Sequence, residues 1–95
     1  MIQDTQEYHF REWRIRAEMV AALHLYVTRR APLGDFLRAV VSNDLKGACG
    51  HADDDNLYNL PAFAAYMYNE MPAAVQGSEK RYEEWIAQAQ KERPQ

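Results

Sequence analysis

Ninety-five residues bound a single domain with a modest core. The 47% hydrophobic share argues against disorder, and a formal net charge of −3 leaves no overall basic field to attract a phosphate backbone. The one cysteine, Cys49, excludes an intrachain disulfide and any paired-cysteine zinc frame.

The opening stretch, MIQDTQEYHFREW, is polar and lacks an apolar leader core. No apolar run approaches the roughly 20 residues that span a bilayer, so the chain is expected to be soluble and cytoplasmic, without membrane contact. Residues 4–30 contain neither glycine nor proline. Ile15, Met19, Leu23 and Tyr26, with Val20, Ala22 and Val27, fall at three- and four-residue spacing, which predicts one helical stripe. Phe10 and Trp13 extend it backwards, so a long first helix is predicted over 5–30, capped by Asp4 or Thr5. Its first turns are expected to fray or to form an arm that pairs with another subunit.

Pro32 ends that helix, Gly34 permits a turn, and Asp35 is the expected N-cap of a second helix over 35–47. Phe36, Leu37, Val40, Val41 and Leu45 form its stripe, and Gly47 and Gly50 are expected to terminate it. Asp53, Asp54 and Asp55 then stand where a third helix, 54–71, should begin, satisfying its orphan amides and complementing its dipole. Pro61 predicts either a kink in that helix or a helix that starts near Leu60 with proline in its first turn. Pro72 closes it, and Ser78 caps a fourth helix over 78–91 whose stripe is Tyr82, Trp85, Ile86 and Ala89. The expected fold is all-α: one domain over 1–95, a small bundle of about four helices, with 1–12 and 91–95 prone to fray.

Positive signs of catalysis are lacking in this pattern. The aspartate run has neither the alternating ligand spacing nor the closing glutamate of a calcium loop. His9, His24, His51 and Cys49 are not at zinc spacing, and Cys49 and His51, two apart on a turn, are not a nucleophile and base by themselves. Cys49 reads as a small buried residue at a helix end. No glycine-rich phosphate loop, paired carboxylate or serine motif occurs, so no enzymatic role, metal or cofactor is expected.

Binding is the alternative. Ser42, Asn43 and Asp44 put a polar triplet inside an apolar helix, and it serves either as a structural lock or as a recognition site. Tyr58, Tyr66 and Tyr68, with Met67 and Met71, cannot all share one buried face of a helix, so some point outward as interface residues do. Trp13, Arg14, Arg16, Arg29 and Arg30 add a local aromatic and cationic group in an otherwise acidic chain.

A larger pattern joins these pieces. Leu23 to Val27, Pro32, Gly34, Phe36-Leu37, Ala39-Val40, Ser42 to Leu45, Ala52-Asp53, Asn56, Tyr68-Asn69-Glu70, Pro72, Gly77 to Lys80 and Trp85 together resemble a family of short, functionally uncharacterised proteins widespread in tailed bacteriophages. The resemblance spans Leu23 to Trp85. It departs at Arg30 and Asp35, where the family pattern has glycine, at Gln76, where it has tryptophan, after Ser78, where the pattern's proline is missing, and at Pro61. Residues 1–22 have no counterpart, and the family supplies no catalytic residues. The resemblance implies a phage accessory protein, with host takeover or anti-defence as possible roles, and adds Asn69 to the interaction candidates.

Three functions are therefore expected in order. The first is a non-enzymatic protein that binds a host protein through its aromatic and acidic surface, an anti-defence (anti-CRISPR-like) inhibitor being its narrower form. The second is a homo-oligomer in which arginine and tyrosine hold an anionic small molecule such as a nucleotide signal. The third, disfavoured by charge, is nucleic-acid binding along the first helix.

Overall fold

Tyr8, Phe10, Trp13 and Ile15 alternate with polar residues, and in the computed structural model, which describes residues 6–92, they form an antiparallel hairpin rather than the start of a long helix. Strand β1 (Tyr8–Phe10) pairs with β2 (Trp13–Ile15) in the register Tyr8 to Ile15, His9 to Arg14 and Phe10 to Trp13. Arg11 and Glu12 make the turn, and Arg11 takes a left-handed φ of 55°. A period of two puts all four apolar side chains on one face. Phe10 stacks on Trp13 at 6.3 Å between centroids, Tyr8 meets Tyr66 edge-on at 5.1 Å, and Ile15 is fully buried. The long first helix is thus corrected to a hairpin followed by α1 (Ala17–Arg29). The cap expected at Asp4 or Thr5 lies outside the described residues.

Helix α1 buries Val20, Leu23 and Tyr26, the predicted stripe, and ends at Arg30 in a left-handed conformation with φ 56°. Helix α2 (Asp35–Val41) follows, with Gly34 rather than Asp35 at its N-cap, and it stops six residues before the predicted end. Asn43 turns left-handed at φ 61°, its N–H donating to the Val40 carbonyl while the Asp44 N–H donates to that of Ala39. This pair of bonds is a Schellman C-cap. Asp44 then caps the next helix, α3 (Leu45–His51), its Oδ1 accepting from Gly47 N–H at 2.9 Å. Gly47 and Gly50 lie inside α3 rather than terminating α2. A Cβ on Gly47 would run into the capping carboxylate of Asp44, so the glycine is the residue the cap leaves room for.

The third predicted helix is likewise two. Asp53 caps α4 (Asp54–Tyr58) by accepting from Asn56 N–H at 2.8 Å, as expected of the aspartate run. After Asn59, α5 (Leu60–Asn69) begins with Pro61 in its first turn, the second of the two outcomes that proline allowed. Pro72 leads into a 3-10 turn, Ala73–Val75, and α6 (Glu79–Glu92) starts at Ser78, whose Oγ accepts from Arg81 N–H.

The core gathers these elements around Tyr26, Phe63, Ile15, Leu23, Val20 and Val41, all essentially inaccessible. Phe36 packs edge-on against Phe63 at 5.0 Å. Tyr26 stacks on Tyr82 at 5.5 Å and donates its hydroxyl to the Val75 carbonyl at 2.7 Å, tying α1 to the 3-10 turn. Burial, with Tyr82 adding to it, pushes the Tyr26 phenol well above its ordinary value. Most described residues are helical, as expected, and the small two-stranded hairpin, with six helices among them in place of about four, is where the structure departs from the predicted bundle.

Candidate functional site

Helix α5 carries no charged residue in LPAFAAYMYN, and its two sides meet different surroundings. Ala62, Phe63, Ala65 and Tyr66 are buried in the core. At 3.6 residues per turn, Leu60, Pro61, Ala64, Met67 and Tyr68 fall within an arc of about 120° on the other side. That arc forms one wall of a groove of about 470 Å³. The facing wall comes from α2 and α3 through Ala39, Val40, Leu45 and Ala48, and Gln76 and Gly77 close one end.

Two large apolar side chains stand at the groove without cover. Leu45 is 72% exposed and Tyr68 is 90% exposed. The polar lining is sparse: Asn43, Asp44 and Gln76. Gln76 is fixed in place by its own amide, which donates to the carbonyls of Met67 at 2.6 Å and Met71 at 2.9 Å. Asp44 is the one ionisable carboxylate in the lining, which includes no lysine or arginine. Arg81 borders a smaller adjoining hollow, where its Nη1 donates to the carbonyls of Ala73 and Gln76.

The twelve residues singled out from sequence are scattered by the fold. Asn43, Asp44 and Tyr68 meet at the groove. Ser42 is beside them in sequence but buried, and its Oγ has no hydrogen-bond partner. Asn43 and Asp44 both serve as cap residues, as the structural-lock alternative expects, and both also line the groove. Tyr66 is buried against Tyr8, where desolvation, then Glu70 and Tyr8, raise its phenol pKa. Tyr58 is exposed on α4, and Asn69 is exposed at the end of α5.

The arginines do not converge. Arg14 and Arg16 join the hairpin to α4: Arg14 Nη2 lies 3.2 Å from Asp55 Oδ1, and Arg16 Nη1 lies 3.3 Å from Asp53 Oδ2 and 3.4 Å from Asp55 Oδ2. Glu7 and Glu18 stand within 4 Å of the same guanidiniums, so four carboxylates surround two cations. The Asn56 N–H bond is the largest influence on the Asp53 carboxyl and holds it below its ordinary value; desolvation opposes it, and Arg16, through its charge and its hydrogen bond, adds to the lowering. Arg29 and Arg30 lie at the far end of α1, about 20 Å along the helix at 1.5 Å per residue. Arg30 stacks over Trp85 with its guanidinium 4.1 Å from the ring centroid. Trp13 is half-buried in the hairpin face.

Cys49 is exposed on α3, correcting the expectation that it is buried. Among the described residues no group of three or more histidines, cysteines and acids is placed to hold a metal ion. No helix among them is long and apolar enough to cross a membrane. Sequence reading missed Leu45, Pro61 and Ala64 as groove residues. The available signal was α5 itself, ten residues with no charge on either side.

No protein-family model, curated protein or solved structure matches this chain.

Proposed function

We propose that this chain is a non-enzymatic binding protein whose groove between α5 and the α2–α3 pair receives a partner protein. The observation that carries the reading is the pair Leu45 and Tyr68, large apolar side chains left in water on either side of an apolar cleft. Exposed aromatic and aliphatic anchors beside a cleft are what interface hot spots are made of. The resemblance to phage proteins supports a narrower form. The chain would be a phage accessory protein acting in the bacterial cytoplasm on a host protein, an anti-defence inhibitor among the possibilities.

The nucleotide-signal reading has one observation in its favour, a groove volume within the small-molecule range. Against it, the lining offers an anionic ligand no cation, and Arg14 and Arg16 already face carboxylates. The same ion pairs weigh against nucleic acid.

The test is affinity capture from host extract with the wild-type chain and a Leu45→Ser/Tyr68→Ala double variant. Both positions are exposed, so folding is expected to survive and is checked by circular dichroism. One host protein retained in stoichiometric amount by the wild type and lost from the variant is the expected result. Identical retention by both proteins, or none by either, overturns the proposal.

A further inference from the structure

Helix α5 carries no charge and only one strongly polar residue, Asn69 at its last position, a composition closer to a helix covered on most sides than to a surface helix. Here the core covers one side only. The groove-side arc runs along Leu60, Pro61, Ala64, Met67 and Tyr68, at i, i+1, i+4, i+7 and i+8, about 12 Å in helical rise, with Ala64 and Tyr68 exposed and the others half-buried. Its middle is Ala64, and the facing wall contributes Ala39 and Ala48. Small residues at the centre of two helical walls let a third backbone approach to about 8 Å, the near limit of helix packing. Leu45 and Tyr68 also line the groove and are largely exposed. The shape therefore suits a rod of helical diameter better than a flat sheet edge.

Charge selects among helices. The lining carries one anion, Asp44, and no cation. Asp44 Oδ1 is used by the Gly47 N–H, and the carboxylate stays exposed to receive a second donor. A second copy of this chain, pairing groove on groove, would bring to Asp44 another lining without a cation. We infer that the groove binds an amphipathic helix of a partner protein, with an apolar face at i, i+3, i+4 and i+7 and a lysine or arginine that meets Asp44. This inference rests on the protein-binding reading above and specifies the partner's recognition element.

The probes are two synthetic helical peptides of about four turns with the same leucine face, one with lysine and one with glutamate on the flanking positions. Each is titrated into the isotopically labelled full chain, and amide shifts are followed. The lysine peptide is expected to move the resonances of Leu45, Ala64 and Tyr68 and to bind more tightly than the glutamate peptide. Asp44→Asn keeps the helix cap and is expected to weaken the lysine peptide about two- to fivefold without weakening the glutamate peptide, whose repulsion it relieves. Tyr68→Ala is expected to weaken it about tenfold or more.

Unmoved groove resonances, or equal binding of both peptides, overturn the inference. So does a concentration-dependent dimer in light scattering that Ala64→Glu dissociates, because a second copy then occupies the groove. The two readings fail separately. A host protein lost from the Leu45→Ser/Tyr68→Ala resin while neither peptide binds sinks the helical partner and leaves the binding function standing.

Discussion

The indole N–H of Trp85 donates to the main-chain carbonyl of Tyr26 at 2.7 Å, fastening the last helix to the end of the first across 59 residues of chain. Arg30 lies over the same ring and also donates to Gln88 Oε1 at 3.3 Å. Trp85→Phe removes one of two donors to that carbonyl, the Arg30 main-chain N–H remaining at 3.0 Å, and is expected to cost about 1 kcal/mol in urea unfolding. At Arg30 the backbone is left-handed, where glycine carries no Cβ penalty. Arg30→Ala is therefore expected to be less stable than Arg30→Gly by about 1 kcal/mol, although both lose the stack on Trp85.

Asn43 and Asp44 offer a direct test of the structural lock. With φ at 61°, Asn43→Gly is expected to match or exceed the wild-type unfolding midpoint, and Asn43→Ala to fall about 1 kcal/mol below it. Asp44→Ala removes the acceptor for Gly47 N–H and is expected to cost about 1 kcal/mol, whereas Asp44→Asn stays near wild type. Equal stability of the glycine and alanine variants at 43 would refute the assignment.

Buried Asn59 is the hinge pin of the hairpin. Its Oδ1 accepts from Arg14 N–H at 2.8 Å and its Nδ2 donates to the Asp55 carbonyl at 2.8 Å. Asn59→Leu strands the Arg14 N–H, while the Asp55 carbonyl keeps the main-chain N–H of residue 59, and is expected to cost about 1–3 kcal/mol, with hydrogen exchange rising first in the hairpin amides.

Acid should loosen the same junction. The folded Asp53 carboxyl sits below its ordinary value of 3.8, chiefly through the Asn56 N–H bond and then through Arg16. Its contribution is complete above the unfolded value and is lost as pH falls through the folded one. Stability is expected to decline below about pH 4. Asp53→Asn, which still caps α4, should flatten that decline; an unchanged pH profile would exclude Asp53 as its source.

Alkali should act on Tyr26. Its phenol is raised above the ordinary value of 10.0 by burial, then by Tyr82. The stability it contributes is present below about pH 10 and is lost progressively above it. Tyr26→Phe deprives the Val75 carbonyl of its donor, at about 1–3 kcal/mol near neutrality, and should show a shallower loss above pH 10. Unfolding curves between pH 7 and 11 read both effects.

Local rules settle much of this molecule. The apolar periods of α1 and α6, the aspartate cap of α4, Pro61 in the first turn of α5 and the Ser78 cap of α6 all follow from neighbours within a few residues, where propensity and capping act. The hairpin was present as the alternation of Tyr8, Phe10, Trp13 and Ile15, but Arg11-Glu12 is not the glycine or asparagine turn that announces one. Packing against α5 and the bonds to Asn59 decide it. The groove belongs wholly to tertiary structure. Leu45 and Tyr68 are 23 positions apart, and only the left-handed turn at Asn43 swings α3 to face α5. Sequence therefore determined the helical stripes of α1 and α6 and the caps of α4 and α6, but not the hairpin or the breaks that split the second and third predicted helices. Tertiary structure decided which apolar faces are covered, because burial depends on partners that no local spacing specifies.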